Sequence, residues 1–397
     1  MHREDFPILK NELIYFDNGA TTLKPKCVID SVVDYYENYS ANAHRGDYDI
    51  SLKVDEKYED VRNKVKSFIN CDSPKEIIFT SGTTDSINRV VEGFMRNHLS
   101  RGDEVLITKA EHASNILPWI KLSEEIGIKV NYIELDNHLV TIENVKKAIT
   151  PKTKVISLAH VTNVLGDMRP IKEIGEICKD NNIYLVVDGA QSIPHIKVDV
   201  KDLNIDFLAF SGHKMLAPTG VGVLYGKYNL LEEMEPTNVG GGMNATFASD
   251  GSCEYKSIPT RFEAGTPNIA GVIGLGRAID YIEEIGIDNI TKHERKLKEY
   301  FIQNTKDIPN LIIYNKDIPG STIAFNIDGV FSQDTAIYLN HYKICVRAGN
   351  HCAKILKEDL LVKNTCRISF YLYNTFEEID RVIEVLRNSE DIFKVIL

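Results

Sequence analysis

The 397-residue sequence predicts an α/β protein, in which a large domain with a mostly parallel sheet between helices is joined to a smaller α+β domain. Two observations carry this reading. In the first two thirds of the chain, short apolar runs ending in polar residues alternate with amphipathic segments of helical period, the pattern of βαβ units. After about residue 265 the pattern changes to two long helical segments, three short strands and a final helix. Hydrophobic residues make up 43 % and charged residues 26 %, so a chain of this length can bury a large core without metal or disulfide support.

Taken in order, PKCVIDSVVDYYENYS reads as a helix opened by Pro25, and VDEKYEDVRNKVKSFINC as a second. KEIIFTSG is a strand running into a glycine turn, followed by the helix TTDSINRVVEGFMRNHL. EVLITKAEH, KVNYIEL, KVISLAHVTN, IYLVVDGAQ and DFLAFSGHK are further strands, with SNILPWIKLSEEIG and IKEIGEICKDN as helices among them. Then come the helices GVIGLGRAIDYIEEIG and NITKHERKLKEYFIQNT, the strands LIIYN, STIAFNID and KICVRAG, and a closing helix FEEIDRVIEVLRNSEDIFKVI. The expected division is a large domain over 15–265, with 1–14 and 266–397 forming the small one.

Charge and cysteine usage narrow the function. Lys and Arg number 46 against 57 Asp and Glu, a net charge of −11, which disfavours a nucleic-acid binder because such work needs a basic face. The seven cysteines, at 27, 71, 178, 253, 345, 352 and 366, are scattered and form no C-x-x-C pair. Neither a disulfide framework nor a zinc ribbon is expected, and no metal site. MHREDFPILK lacks the apolar stretch of a signal peptide and no run of 18 apolar residues occurs, so no membrane association and a cytoplasmic location are expected.

Ligands of open parallel sheets bind beyond the carboxyl ends of the strands, so the residues there matter most. Ser81-Gly82-Thr83-Thr84 opens a helix, where backbone N–H groups and hydroxyls receive an anion or merely cap the helix. Glu111-His112 follows the next strand, and a lone histidine there is either structural or catalytic. Asp188 closes the apolar run IYLVV as a compensated buried carboxylate or a helix cap. Lys214 emerges from DFLAF within Ser211-Gly212-His213-Lys214, either as a snorkelling lysine or as an amine whose lowered pKa makes it a nucleophile toward a carbonyl. Together these groups describe one cofactor. Pyridoxal 5'-phosphate (PLP) needs a lysine for its aldehyde, an acid against its pyridine nitrogen, a helix N-terminus with hydroxyls for its phosphate and a platform for its ring, which His112 can supply. Asp188-x-x-Gln191 followed by Ser-x-His-Lys ending 26 residues after Asp188 meets those needs.

The segments DNGATT (17–22), TSGTTDSIN (80–88), EHASNILPW (111–119), VDGAQS (187–192), SGHKMLAPTGVG (211–222), RFEAGTPN (261–268) and RAGNHCA (347–353) resemble the SUF-type cysteine desulfurases, in the class V aminotransferase family of fold-type I PLP enzymes. The resemblance runs from about residue 12 to 390. It implies that Lys214 holds the cofactor aldehyde, Asp188 the pyridine nitrogen, Gln191 the ring hydroxyl and His112 the ring face. Thr83, Ser211 and His213 match phosphate ligands. Thr266 matches a threonine that reaches the phosphate of the neighbouring subunit, which implies a homodimer. Asn163 and Arg367 match residues holding the substrate amino acid, with Arg347 beside them, and Cys352 matches the nucleophile. Cys352, Lys214 and His112 are thus the expected catalytic set, acting on L-cysteine and passing persulfide sulfur to an acceptor protein of an iron–sulfur assembly system. Two departures stand out: Asp167 where a small or neutral residue is expected, and EHAS without a second histidine.

On its own residues, Cys352 is either a small buried hydrophobe or a reactive thiol. Arg347, Gly349, Asn350, His351 and Lys354 around it favour thiolate and access. Selenocysteine lyase, cysteine-sulfinate desulfinase and a plain aminotransferase are alternatives within the same cofactor class. A nicotinamide enzyme suggested by Gly274-Leu-Gly276 lacks the third glycine and a preceding strand.

Overall fold

The computed structural model describes residues 2–43 and 46–396. The apolar runs form a seven-stranded sheet in the order Ile77–Thr80, Gly222–Gly226, Phe207–Ser211, Tyr184–Asp188, Thr153–Ala159, Glu104–Ile107, Lys129–Tyr132. Six strands share one direction and Gly222–Gly226 runs against both its neighbours. That reversed strand is the one the alternation of helix and strand does not reveal. The chain turns back directly after Lys214, and an antiparallel neighbour needs no crossover helix.

Except at its edge strand Lys129–Tyr132, the sheet is buried on both faces, which is why its strands read as continuous apolar runs. Leu185 and Val187 face an apolar cluster shared with Val28, Val61, Ile174 and Ile279. Val186, one pleat away, faces Ile87, Phe94 and Trp119 on the other side. Ile269–Ile285 belongs to the first cluster and packs on Lys26–Asn38 and Asp49–Phe68. Its glycines permit that approach: a Cβ on Gly276 would sit 2.5 Å from Val61 Cγ2, and one on Gly274 would sit 2.6 Å from Pro218 Cγ. The Gly-Leu-Gly pattern therefore serves helix packing.

A second sheet of four antiparallel strands, in the order Leu311–Ile313, Thr322–Ile327, Thr365–Ser369, Arg347–Gly349, carries its own core with Leu297, Phe301, Leu339 and Val382 from the helices beside it. Ile14–Tyr15 pairs in parallel with Ile344–Cys345 as a separate two-stranded sheet, while Phe6 and Leu9 before it pack in the first apolar cluster of the large sheet. The expected closing helix is interrupted. Phe376–Arg387, opened by a capping box of Thr375 and Glu378, gives way to a 3-10 turn at Ser389–Asp391 before Ile392–Ile396. An exposed hairpin, Asn244–Phe247 with Cys253–Tyr255, was also not expected. Among the described residues no helix is long and apolar enough to cross a membrane.

Candidate active site

The carboxyl ends of the parallel strands open on a cavity of about 310 Å³. Thr83, His112, Asn163, Asp188, Gln191, Ser211, His213, Lys214, Arg347, Cys352 and Arg367 all line it. Only Thr266 of the expected site residues stands apart, exposed and outside this cavity of its own chain.

Each side chain is placed by a strand end or the turn after it. Ile77–Thr80 delivers Thr83 to the N-terminus of the helix Thr83–Val90. There the Thr83 amide donates to Ser211 Oγ at 2.8 Å, and the two hydroxyls lie 2.8 Å apart. Gly82 holds a φ of 150°, which strains an L side chain, and the close approach falls on Gly222, where a Cβ would meet Gly82 Cα at 2.4 Å. The result is a cluster of hydroxyls and amides at a helix start, suited to phosphate.

His112 is held by Ser114, whose amide donates to Nδ1 at 3.1 Å. Nδ1 is therefore the unprotonated nitrogen. Burial, helped by the charges of Lys214 and Arg367, pushes the imidazole down to about 4, so the ring is neutral near pH 7. Asp188 ends its strand 5 % exposed and accepts from the Ala190 amide through Oδ1 at 2.9 Å. Burial pushes its carboxyl up while Lys214 pulls it down. Burial likewise lowers the Lys214 ammonium, opposed by Asp188. A cationic ring nitrogen at Asp188 would restore its charge.

The small sheet supplies the rest. Arg367 is 2 % exposed and donates from Nη1 to the Asn163 carbonyl at 2.7 Å. Asn163 Nδ2 in turn donates to the His351 carbonyl at 2.7 Å. Cys352 is exposed and follows His351, with both residues in the left-handed region at φ 54° and 52°. His351 is buried, with Nε2 3.0 Å from the carbonyl of Thr365. Burial, with the charges of Arg367 and Lys357, drives it down to about 2. Three buried polar atoms of cavity-lining side chains, Asn163 Oδ1, His351 Nδ1 and Arg367 Nε, have no hydrogen-bond partner. A donor set of amine, carboxylate, clustered hydroxyls and a neutral ring, with polar atoms left to be satisfied, fits PLP and an amino acid. Among the described residues no group of three or more His, Cys, Asp or Glu could hold a metal ion.

Sequence reasoning passed over Asp17 and Gly19, although both lie in the DNGATT segment it singled out. Asp17 bonds Arg347 and lies near Arg367. A Cβ on Gly19 would fall 2.8 Å from Arg367 Cζ. Asp167, the unexpected acid, is buried 3.7 Å from Arg169 Nε, and Arg169 also pairs with Glu111. Glu111 then accepts from the Asn115 side chain at 2.9 Å and the Ala159 amide at 2.7 Å. The acid thus belongs to a buried network beneath the strand ends and does not line the cavity.

Known proteins resemble this chain over nearly its whole length. The model of the family described as aminotransferase class-V matches residues 14–382. A Halalkalibacterium halodurans protein named "Probable cysteine desulfurase" is 44 % identical over 394 residues, covering 98 % of this chain and 97 % of the relative. A cysteine desulfurase of Haloferax volcanii is 37 % identical over 412 residues, covering 98 % and 96 %. The solved apo structure of a cysteine desulfurase from Thermococcus onnurineus NA1 is 39 % identical with a TM-score of 0.93, covering 97 % of this chain and 96 % of that one. With its match to the family spanning both sheets, and relatives of this kind aligned from end to end, the chain belongs to the class-V aminotransferase family, among the cysteine desulfurases.

Proposed function

We propose that the protein is a PLP-dependent cysteine desulfurase, which converts L-cysteine to L-alanine and leaves the sulfur as a persulfide on Cys352. The observation that carries this reading is the exposed thiol of Cys352 on the same cavity as Lys214, Asp188 and Arg367. PLP, when bound, supplies an electron sink that makes the α-proton of an attached amino acid labile.

The chain's own residues do the rest. Thr83, Ser211 and His213 hold the phosphate, Gln191 the ring hydroxyl and His112 the ring face. Asp188 keeps the pyridine nitrogen protonated. Arg367 holds the substrate carboxylate with Asn163 beside it. The Lys214 amine, lowered by burial, takes the α-proton. The Cys352 thiolate attacks the substrate sulfur: a sulfur–sulfur bond forms, the carbon–sulfur bond breaks, and its electron pair stays with the carbon skeleton that leaves as alanine after protonation.

The wider setting belongs to the same proposal. An exposed Cys352 on a short segment suits a separate sulfur-acceptor protein of an iron–sulfur assembly system. Thr266, exposed and outside its own cavity, suits a homodimer in which it reaches the neighbouring phosphate. The setting is cytoplasmic. The test is mass measurement of the Cys352 peptide after L-cysteine and a persulfide trap are added to the holoenzyme. Added mass of one trapped sulfur on Cys352, with alanine released, is expected; alanine release with Cys352 unmodified overturns the assignment.

A further inference from the structure

Arg347 and Arg367 are register partners on adjacent antiparallel strands, so the fold sets two guanidinium-bearing side chains directly opposite each other. Like charges in that relation cost stability unless something offsets them. Asp17 offsets them. Its Oδ1 and Oδ2 accept from Arg347 Nε at 3.0 and 3.1 Å, and Oδ2 lies 2.9 Å from Arg347 Nη2. Its Oδ1 is 3.4 Å from Arg367 Nη2. The backbone of Asp17 is bridged to Ser369, two residues beyond Arg367 on the same strand, which fixes the carboxylate beside the two cavity-lining arginines.

The two arginines are therefore not equivalent. Arg347 gives Asp17 its Nε and Nη2, the edge of the guanidinium that binds a carboxylate bidentately. Arg367 spends Nη1 on the Asn163 carbonyl and keeps a buried Nε without a partner. Two guanidinium charges less one carboxylate leave one positive charge, which matches one anionic group of a substrate.

We infer that Asp17 is a specificity-determining residue, which engages Arg347 and so biases the arginine end of the cavity toward amino acids with a single negative group and against those with a second sulfinate or carboxylate on the β-carbon. This rests on the desulfurase reading, which assigns the substrate carboxylate to Arg367. Removing the Asp17 charge frees the Arg347 edge for a second oxyanion.

The test uses wild-type holoenzyme, Asp17→Asn and the double variant Asp17→Asn/Arg347→Gln. The double variant removes the opposed charges along with the carboxylate, so it keeps the inference testable should the single variant not fold. L-Aspartate serves as the dianionic probe, its Kd read by calorimetry beside the KM for L-cysteine. Asp17→Asn is expected to bind L-aspartate about 10-fold tighter, the scale of one charge-assisted hydrogen bond, with a smaller change in KM for L-cysteine. The double variant is expected to return the aspartate Kd to the wild-type range. An aspartate Kd that moves only in step with the L-cysteine KM in Asp17→Asn overturns the inference, as does a double variant that binds L-aspartate tighter than wild type. Wild-type holoenzyme that releases no alanine from L-cysteine would instead overturn the desulfurase reading, and the aspartate comparison would still report on Asp17.

Discussion

The amide of Ala113 donates a hydrogen bond to the carbonyl of Cys352 at 2.7 Å. The turn that presents His112 is thereby tied to the segment that presents the thiol, although the two follow strands of different sheets. Two adjacent residues in the left-handed region, His351 and Cys352, need such external bonds to stay where they are.

That tie can be cut without touching either side chain. His112 already has the extended backbone that a following proline requires, at φ −66° and ψ 146°, and Ala113 opens a 3-10 turn where proline is tolerated. Ala113→Pro therefore removes the donor and little else. We expect kcat for L-cysteine to fall about 10-fold, the scale of one lost hydrogen bond of about 1.4 kcal/mol, with PLP absorbance kept. Faster alkylation of Cys352 should accompany the loss. Unchanged turnover and unchanged alkylation would show that the segment holds its shape without Ala113.

Cys352→Ala separates the thiol chemistry from cofactor binding. The residue is exposed and makes no side-chain hydrogen bond to the groups that hold phosphate or pyridine nitrogen in the proposal. The variant should keep the visible absorption band of the holoenzyme and lose sulfide release from L-cysteine. Full sulfide release by this variant would remove the nucleophile from the mechanism.

Much of this site could be read from the chain because its groups sit where strands end. Burial of both faces writes the inner strands as apolar runs, and polar residues at or just after their ends, Thr83, His112, Asp188, Ser211, His213 and Lys214, are those brought to the cavity. What escaped depends on distant pairing. Asp17 is separated by 330 residues from Arg347 and by 350 from Arg367, and no local pattern announces such a contact. The reversed strand Gly222–Gly226 escaped for a related reason, because no helix precedes it to complete a βαβ unit. Asp167 looked anomalous from sequence because its partner Arg169 meets Glu111 only in the folded interior.

Gly19 gives a test of substrate holding that spares the cofactor. A methyl group there would press on the Arg367 guanidinium at 2.8 Å from Cζ, and that side chain is 2 % exposed and held by Asn163 and Asp17. It can yield only by leaving its position. Gly19→Ala should raise the KM for L-cysteine about 10-fold or more, since a displacement that costs one charge-assisted bond is worth about 1.5–3 kcal/mol. PLP affinity measured by absorbance titration should change less. An unchanged KM would mean that Arg367 does not bind the substrate in this position.

Buried histidines set the last prediction, and its sign follows from linkage. Burial, helped by Arg169, pushes His160 from its ordinary 6.5 down to about 4, and His351 goes down to about 2. Above pH 6.5 neither the folded nor the unfolded chain protonates them, and the full stability is present. As pH falls below 6.5 the unfolded chain takes up protons that the fold refuses, so stability is lost, by about 1.4 kcal/mol per pH unit for each such residue. The loss from His160 ends near its folded value of about 4, and that from His351 continues toward about 2. Buried Asp167 and Glu294, whose carboxyls burial pushes up, work in the opposite direction, so the test must be a difference between variants. His160→Gln removes one titrating group. Its unfolding free energy in urea, measured from pH 6.5 to 5, should fall less steeply than that of wild type by about 1 kcal/mol per pH unit, since the unfolded imidazole is only half protonated at the upper end of the range. Parallel slopes for the two proteins would mean that His160 takes its proton as readily in the fold as in the unfolded chain.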